Sequence, residues 1–188
     1  MTVDDRATLQ ALDAILRSEQ TRAQIQPIVE RVRADLATKT EALMAWEPIP
    51  LSIYGNALPA VIRSSWVFIL RAGVSTGAER HPNSHQRMMS FEGSGDLQVE
   101  DMQKMSDVRA RTSDVTVRWQ SNVLVSDPGA PLERRWISIP ENVWHQPVIS
   151  NEADWVVVSF HTVPAEELIE ERPSEDGVIG TRQMRYLG

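Results

Sequence analysis

The sequence predicts a mainly β protein, an antiparallel barrel or sandwich that follows an N-terminal helical segment. From about residue 48 to residue 164, short runs rich in Val, Ile, Trp and Phe alternate with turn signals. The first 47 residues instead carry apolar side chains at helical spacing. Pro48 and Pro50 mark the change, because proline ends a helix. Short strands with no helix between them favour an antiparallel fold over a parallel α/β sheet.

Composition limits the classes of function. The chain has 188 residues, enough for one sizeable core, and a formal net charge of -7. Because Lys and Arg are scattered among acidic residues, we expect no nucleic-acid binding. The absence of cysteine removes disulfides and thiolate metal sites. With no apolar stretch behind a basic start and none of membrane-spanning length, we expect a cytoplasmic protein without a membrane partner.

Residues 1–47 predict two amphipathic helices. Their apolar stripes are Leu9, Leu12, Ile15 and Leu16, and then Ile28, Val32, Leu36 and Leu43. Pro27 fits the first turn of the second helix. Both stripes must be buried, and packing against the outside of the barrel or a partner subunit is favoured over a lid above a pocket. Because a barrel closes its own core, this extra apolar surface predicts a homodimer.

The predicted β region, residues 48–164, contains seven clear strands. They are Ser65–Arg71, Arg87–Glu92, Leu97–Glu100, Ser121–Ser126, Arg135–Ile139, Trp144–Ile149 and Trp155–His161. The polar segment Asp101–Arg118 is expected to be a long connection. In the last part, residues 165–188, the stretch 165–171 is predicted as a short helix and the rest as an extended tail.

A polar pocket is predicted from residues around the histidines of the β region. Glu79 and His81 lie two apart, so on a strand they share one face. The turn signal Pro-Asn-Ser then returns the chain, which can bring Gln86 beside them. His145 opens a second strand after a proline-marked turn.

The first of these segments resembles the first motif of the cupin superfamily. Gly73, His81 and Gly93 keep the register of that motif. Glu79 stands where the family has its first histidine, and Gln86 stands where it has a glutamate.

The second segment resembles the second cupin motif in Pro140, Asn142 and His145, where Asn142 replaces a glycine. Asparagine accepts the left-handed backbone that this turn requires. The leading glycine and trailing asparagine of that motif are absent, since Arg134 and Ile149 occupy those positions.

The resemblance implies a cupin-like double-stranded β-helix barrel that holds a divalent transition metal, Fe, Mn, Ni or Zn. Carried over by position, the ligands are Glu79, His81, Gln86 and His145. Two imidazoles and a carboxylate suit such a metal. Gln86 would be a weak neutral fourth ligand or a hydrogen-bond donor. The changed ligands also allow a polar pocket that has lost its metal.

Four further residues have open roles. His85 is a candidate catalytic residue for substrate proton transfer, or a turn residue at the barrel rim. His161 is expected to be structural or to line the rim rather than to bind metal. Arg71 and Arg87 flank the motif and can bind a substrate carboxylate or be solvated.

The expected function is a metal-dependent cupin-type enzyme that acts on a small organic molecule. A dioxygenase-like reaction is favoured because two His and a carboxylate suit Fe(II), with an isomerase or lyase step as the other option. The alternative is a non-catalytic cupin that binds a small ligand. The sequence therefore leaves open whether the chain is an enzyme.

Overall fold

The computed structural model describes residues 2–101, 118–173 and 181–185. Its N-terminal helices are α1 (Val3–Arg17) and α2 (Glu19–Thr38). Ser18 separates them and starts α2, because its side chain accepts a hydrogen bond from the Thr21 amide. Pro27 therefore lies inside α2, and its predicted place in the first turn is wrong.

The described residues after α2 contain eleven strands, a 3-10 segment (Leu51–Ala57) and a single helical turn, α3 (Leu132–Arg135). The strands are β1 (Met44–Pro48), β2 (Ser64–Leu70), β3 (Gln86–Glu92), β4 (Ser94–Glu100), β5 (Trp119–Gln120), β6 (Val123–Val125), β7 (Trp136–Ile139), β8 (His145–Val148), β9 (Trp155–His161), β10 (Ile169–Pro173) and β11 (Thr181–Arg185).

Two antiparallel sheets form the barrel. The first has the order β1-β2-β9-β3-β7, and in the second β4 pairs with β5, β6 and β8. Backbone bridges from Ser75 and Glu79 to β8 extend the second sheet. From β2 to β9 the chain passes back and forth between the two sheets, which is the double-stranded jelly-roll arrangement of cupins. The predicted mainly β, cupin-like fold with an N-terminal helical region is confirmed.

The two helices cover the outer face of the five-stranded sheet. Their apolar side chains form one core with Val67, Ile69, Val156 and Phe160. Alternate residues of the same strands, such as Trp66, Phe68 and Val157, belong to a second core inside the barrel. Except for Leu43, which lies beyond α2 and is 45% exposed, the stripes are thus buried against the chain's own barrel, on its outside, and they do not form a lid.

The C-terminal part differs from the prediction. Residues 165–171 form a turn and the start of β10 instead of a helix. Two backbone hydrogen bonds between Arg80 and Glu171, of 3.0 and 2.9 Å, hold this segment against the barrel and override its helical composition. The predicted connection Asp101–Arg118 lies almost wholly outside the described residues. Among the described helices, none combines the length and apolar character needed to cross a membrane.

Candidate metal centre

Three left-handed turn residues position the motif strands. Gly73 and Gly93 have φ values of 74° and 76°, and Asn142 has a φ of 62°. A Cβ at Gly93 would lie 3.0 Å from the Asp154 carbonyl oxygen, so this turn has little room for a side chain. The glycine register and the Asn142 substitution seen in the sequence therefore reflect backbone requirements.

Glu79, His81 and His145 meet inside the barrel. One ligand-capable atom from each lies within 4.8 Å of the others. Reciprocal backbone hydrogen bonds of 2.8 and 2.9 Å pair Glu79 with His145 across the sheet, and directly opposite residues place their side chains on the same face. His81 follows on that face, with its ring centroid 5.6 Å from that of His145.

Backbone carbonyls fix the tautomers of both histidines. His81 Nδ1 lies 3.0 Å from the Ile169 carbonyl, and His145 Nδ1 lies 3.1 Å from the Val143 carbonyl. Because a carbonyl can only accept, each Nδ1 carries a hydrogen and donates it. This leaves Nε2 of each ring as the free ligand atom, which is the usual arrangement of metal-binding histidines.

The contact between His145 and Glu79 requires a proton or a metal ion between the two side chains. His145 Nε2 is buried without a hydrogen-bond partner, and it lies 3.5 Å from Glu79 Oε1. In a neutral imidazole with Nδ1 protonated, Nε2 is an acceptor, and so is a carboxylate oxygen. Two buried acceptors facing each other are stable only if a proton or a metal ion shares them.

Arg172 holds the other side of the Glu79 carboxylate. Its Nη2 donates to Glu79 Oε2 at 2.6 Å, and the guanidinium also bonds to Glu170 and to the Thr76 carbonyl. Burial acts to raise the pKa of Glu79, but the neighbouring imidazoles of His145 and His81 and the guanidinium of Arg172 outweigh it and lower that pKa. Glu79 is therefore a carboxylate at neutral pH.

His81 is uncharged at neutral pH. Burial, aided by the nearby His145, lowers the pKa of His81 to about 4, against the attraction of Glu79. A neutral imidazole is the form that binds metal.

Gln86 lies at the edge of the cluster. Its amide Nε2 donates to Ser159 Oγ at 3.1 Å, while its carbonyl Oε1 is buried without a hydrogen-bond partner. Ser159 Oγ also lies 3.0 Å from His161 Nε2. This arrangement presents a carbonyl oxygen to the pocket, and only that end of the amide can bind a cation.

His161 is closer to the centre than the sequence indicated. It is buried inside the barrel, bonded to Ser84 and Ser159, and its ring edge meets the His81 ring at 4.9 Å between centroids. Strand alternation is the signal that could have placed it there. Ser159 and His161 share one face of β9, and the sheet register pairs His161 with Gln86.

His85, by contrast, is not brought to the cluster. His85 directly precedes β3, and its contact with Asp5 places it on the side of α1 together with Arg87, whereas Gln86 points inward. His85 Nε2 bonds to Ser138 Oγ at 2.7 Å, and Arg87 pairs with Asp5 at 2.8 Å. Its predicted role in substrate proton transfer finds no support in this position.

The two arginines that flank the motif bind to the N-terminal helices. Arg87 pairs with α1, as above, and Arg71 donates to the carbonyls of Leu36, Lys39 and Ala42 at the end of α2. Neither is among the residues that line the central pocket.

The cluster opens into a pocket of about 380 Å³, measured out to its mouth. It is lined by Met44, Phe68, Leu70, Thr76, Glu79, Gln86, Met88, Leu97, His145, Pro147 and Val157. One end is thus polar and the walls are apolar, the usual composition of a small-molecule site.

The donor set fits a divalent transition metal. Two imidazole nitrogens, one carboxylate and one amide oxygen are suitable ligands for Fe, Mn, Ni or Zn. The orphaned Nε2 of His145 and Oε1 of Gln86 are the atoms that such an ion would satisfy.

Comparison with known proteins gives distant similarity only. No family model matches the chain, and no curated protein matches it. Among solved structures, an oxalate oxidase in complex with glycolate is 12% identical over 67% of this chain and 54% of that one, with a TM-score of 0.47. This chain therefore spans about half the length of that protein.

Two other solved structures illustrate the range of similar proteins. A pumpkin seed globulin is 15% identical over 69% of this chain and 28% of that one, with a TM-score of 0.46. A Lactobacillus farciminis oxalate decarboxylase in a formate complex is 11% identical over 65% and 29%, with a TM-score of 0.43. By the alternation of its own strands between two sheets, the chain has a cupin-like fold.

Proposed function

We propose that this protein is a metal-dependent enzyme of the cupin type that acts on a small organic molecule. Glu79, His81 and His145 would hold a divalent transition metal, Fe, Mn, Ni or Zn, with Gln86 as a weaker fourth ligand. The observation that carries the proposal is the contact of 3.5 Å between Glu79 Oε1 and His145 Nε2, in which the buried Nε2 has no hydrogen-bond partner and faces a carboxylate oxygen.

A dioxygenase-like reaction is favoured. Two imidazoles and a carboxylate are the ligand types of non-haem Fe(II) oxygenases, and a metal so bound would offer open positions to dioxygen or to a substrate oxygen.

The protein's own residues would prepare the site for that chemistry. Backbone carbonyls orient both imidazoles, and Arg172 fixes the carboxylate of Glu79. The apolar walls exclude water, which strengthens the electrostatic interactions at the polar end.

The alternative is a non-catalytic cupin that binds a small ligand. Gln86 favours this alternative, because it leaves Glu79 as the only negative charge of the ligand set. A proton between Glu79 and His145 would then take the place of the metal.

The test is metal stoichiometry by elemental analysis, after incubation with Fe(II) without oxygen, Mn(II), Ni(II) and Zn(II). We expect about one ion per chain in the wild type, loss of binding in Glu79→Gln and His145→Ala, and a smaller loss in Gln86→Ala. His85→Ala is the matched control, since it removes a histidine on the opposite face. A wild type that stays metal-free would overturn the proposal in favour of the ligand-binding alternative.

We also infer a homodimer and a cytoplasmic location. Since the helical stripes are covered within the chain, support for the dimer moves to the edge strand β1. Trp46 on β1 is 40% exposed, and Leu43, directly before β1, is 45% exposed. The mass in solution of the wild type and of Trp46→Glu tests it, with the variant expected to be a monomer if β1 forms the interface.

A further inference from the structure

Three buried polar atoms that have no hydrogen-bond partner line the same pocket. They are His145 Nε2, Gln86 Oε1 and Thr76 Oγ1. The first two belong to the candidate ligand set, but Thr76 does not. A buried hydroxyl without a partner is costly, so its position indicates a partner that enters the pocket.

The walls next to these atoms are hydrocarbon. Phe68, Leu70, Met88, Leu97 and Val157 contribute apolar side chains. An occupant would therefore gain most of its binding free energy from apolar contact.

Among the described residues that line this pocket there is no lysine or arginine. Arg71 and Arg87 bond to the helices, and Arg172 bonds to Glu79 and Glu170. In the metal-free protein, an anion would thus meet the Glu79 carboxylate, and the nearest cation, Arg172, is already paired with that carboxylate and with Glu170. The burial of an unpaired charge is strongly unfavourable.

The pocket is small. Its volume of about 380 Å³ includes its open mouth, and it lies near the lower end of the range for small-molecule sites, about 300–1,000 Å³. The pocket therefore favours a small occupant unless the walls move.

Thr76 stands where this pocket meets an outer cleft. That cleft is lined by Leu43, Met44, Thr76, Arg172, Arg182 and Met184, so it shares Met44 and Thr76 with the pocket. A molecule that enters through the cleft would pass the Thr76 hydroxyl before it reaches the ligand set.

From these observations we propose the substrate class. The pocket takes a small, uncharged molecule with a hydrocarbon body and one oxygen-bearing group, and the Thr76 hydroxyl binds that group as a specificity-determining contact. The proposal rests on the proposed function, because it assumes that this pocket is the active site.

The test compares butanone with butyrate, two probes of similar size that differ in charge. Binding is followed by amide NMR shifts of pocket residues, in metal-free and in Zn(II)-incubated protein. We expect butanone to bind saturably and butyrate to bind at least about tenfold more weakly in the metal-free protein. Thr76→Val should weaken butanone binding about tenfold, while Thr76→Ser, which keeps the hydroxyl, should restore it.

The outcomes separate this proposal from the proposed function. Equal or tighter binding of butyrate by the metal-free protein would overturn the substrate class. Wild-type affinity in Thr76→Val would overturn the role of Thr76 and indicate that only water satisfies its hydroxyl. If butanone binds to a protein that takes up no metal, the substrate class stands and the metal-dependent function fails.

Discussion

Asp13 and Glu79 are two carboxylates at opposite faces of the barrel wall, and their partners differ in kind. Asp13, on α1, accepts two hydrogen bonds from the Arg135 guanidinium and one of 2.8 Å from Trp136 Nε1. Glu79 has a donor on one side only, Arg172, and faces the acceptor His145 Nε2 on the other. Burial of charge is common to both, so burial alone does not mark a functional site. The feature that marks the site at Glu79 is the acceptor His145 Nε2, which has no hydrogen-bond donor.

Removal of the Asp13 carboxylate should separate the roles of the two residues most clearly. Burial acts to raise the pKa of Asp13, but hydrogen bonds from Arg135 and Trp136 outweigh it and lower that pKa. Asp13→Ala would leave the buried Arg135 without its counter-ion, which typically costs about 3–5 kcal/mol. We expect a loss of this size in the free energy of unfolding in urea, with metal stoichiometry unchanged.

Two control variants set the scale for the stability loss in Asp13→Ala. Glu79→Gln should cost less stability than Asp13→Ala, because Arg172 keeps Glu170, yet it should abolish metal binding. Arg6→Ala removes an exposed ion pair with Glu133 and should leave the free energy of unfolding nearly unchanged. A loss in Asp13→Ala no larger than that of Arg6→Ala would contradict the assignment of Asp13 as a structural charge.

A second prediction concerns pH and the metal-free protein. The pKa of His81 is lowered to about 4 by burial, while an unfolded histidine titrates near about 6.5. Below a pH of about 6.5, His81 binds a proton in the unfolded chain but stays neutral in the native protein. Stability present above about pH 6.5 is therefore lost progressively as the pH falls toward 4, by up to about 3 kcal/mol.

Buried His161, whose pKa burial also lowers, acts in the same direction. The measurement is the free energy of unfolding between about pH 7 and pH 5, above the range where carboxylates titrate. His81→Gln should show a shallower dependence than the wild type. Equal slopes in both proteins would show that His81 does not carry this effect.

The smallest expected effect tests how Gln86 is oriented. Ser159→Ala removes the acceptor that holds the Gln86 amide nitrogen, so the carbonyl oxygen is no longer fixed toward the pocket. We expect zinc affinity, measured by competition with a chelator, to fall about tenfold. Ser84→Ala removes the hydrogen bond at Nδ1 of His161, together with the one that Ser84 Oγ accepts from the Thr162 amide, and should lower the affinity less. An equal loss in both variants would assign the effect to His161 rather than to Gln86.

Local periodicity explains what the sequence predicted well. Glu79 and His81 share a face because strand residues alternate, and the antiparallel pairing that faces Glu79 with His145 follows from the same fold. His85 directly precedes β3, and its contacts with Ser138 and Asp5 lie on the side of the strand opposite Gln86. No contact in this position supports the candidate catalytic role of His85.

Long-range pairing explains what the sequence did not predict. Residues 165–171 have the composition of a helix, but antiparallel pairing with β11 and the bonds between Glu171 and Arg80 make residues 169–171 part of a strand. Arg172 follows in that strand, so its contact with Glu79 depends on a partner more than 90 residues away. No local pattern marks such a contact. The unpaired Thr76 hydroxyl is likewise visible only once the pocket walls are in place.

The bond between Arg172 and Glu79 has a practical consequence for anyone who trims or grafts this fold. In outline, the barrel is complete at the end of β9, and a boundary there would look safe. A shortened chain of that kind would lose the counter-ion of its only acidic ligand and the Ile169 carbonyl that orients His81. We expect such a shortened protein to keep a barrel but to bind metal poorly. A shortened or grafted version that is meant to bind metal should therefore include β10 and β11.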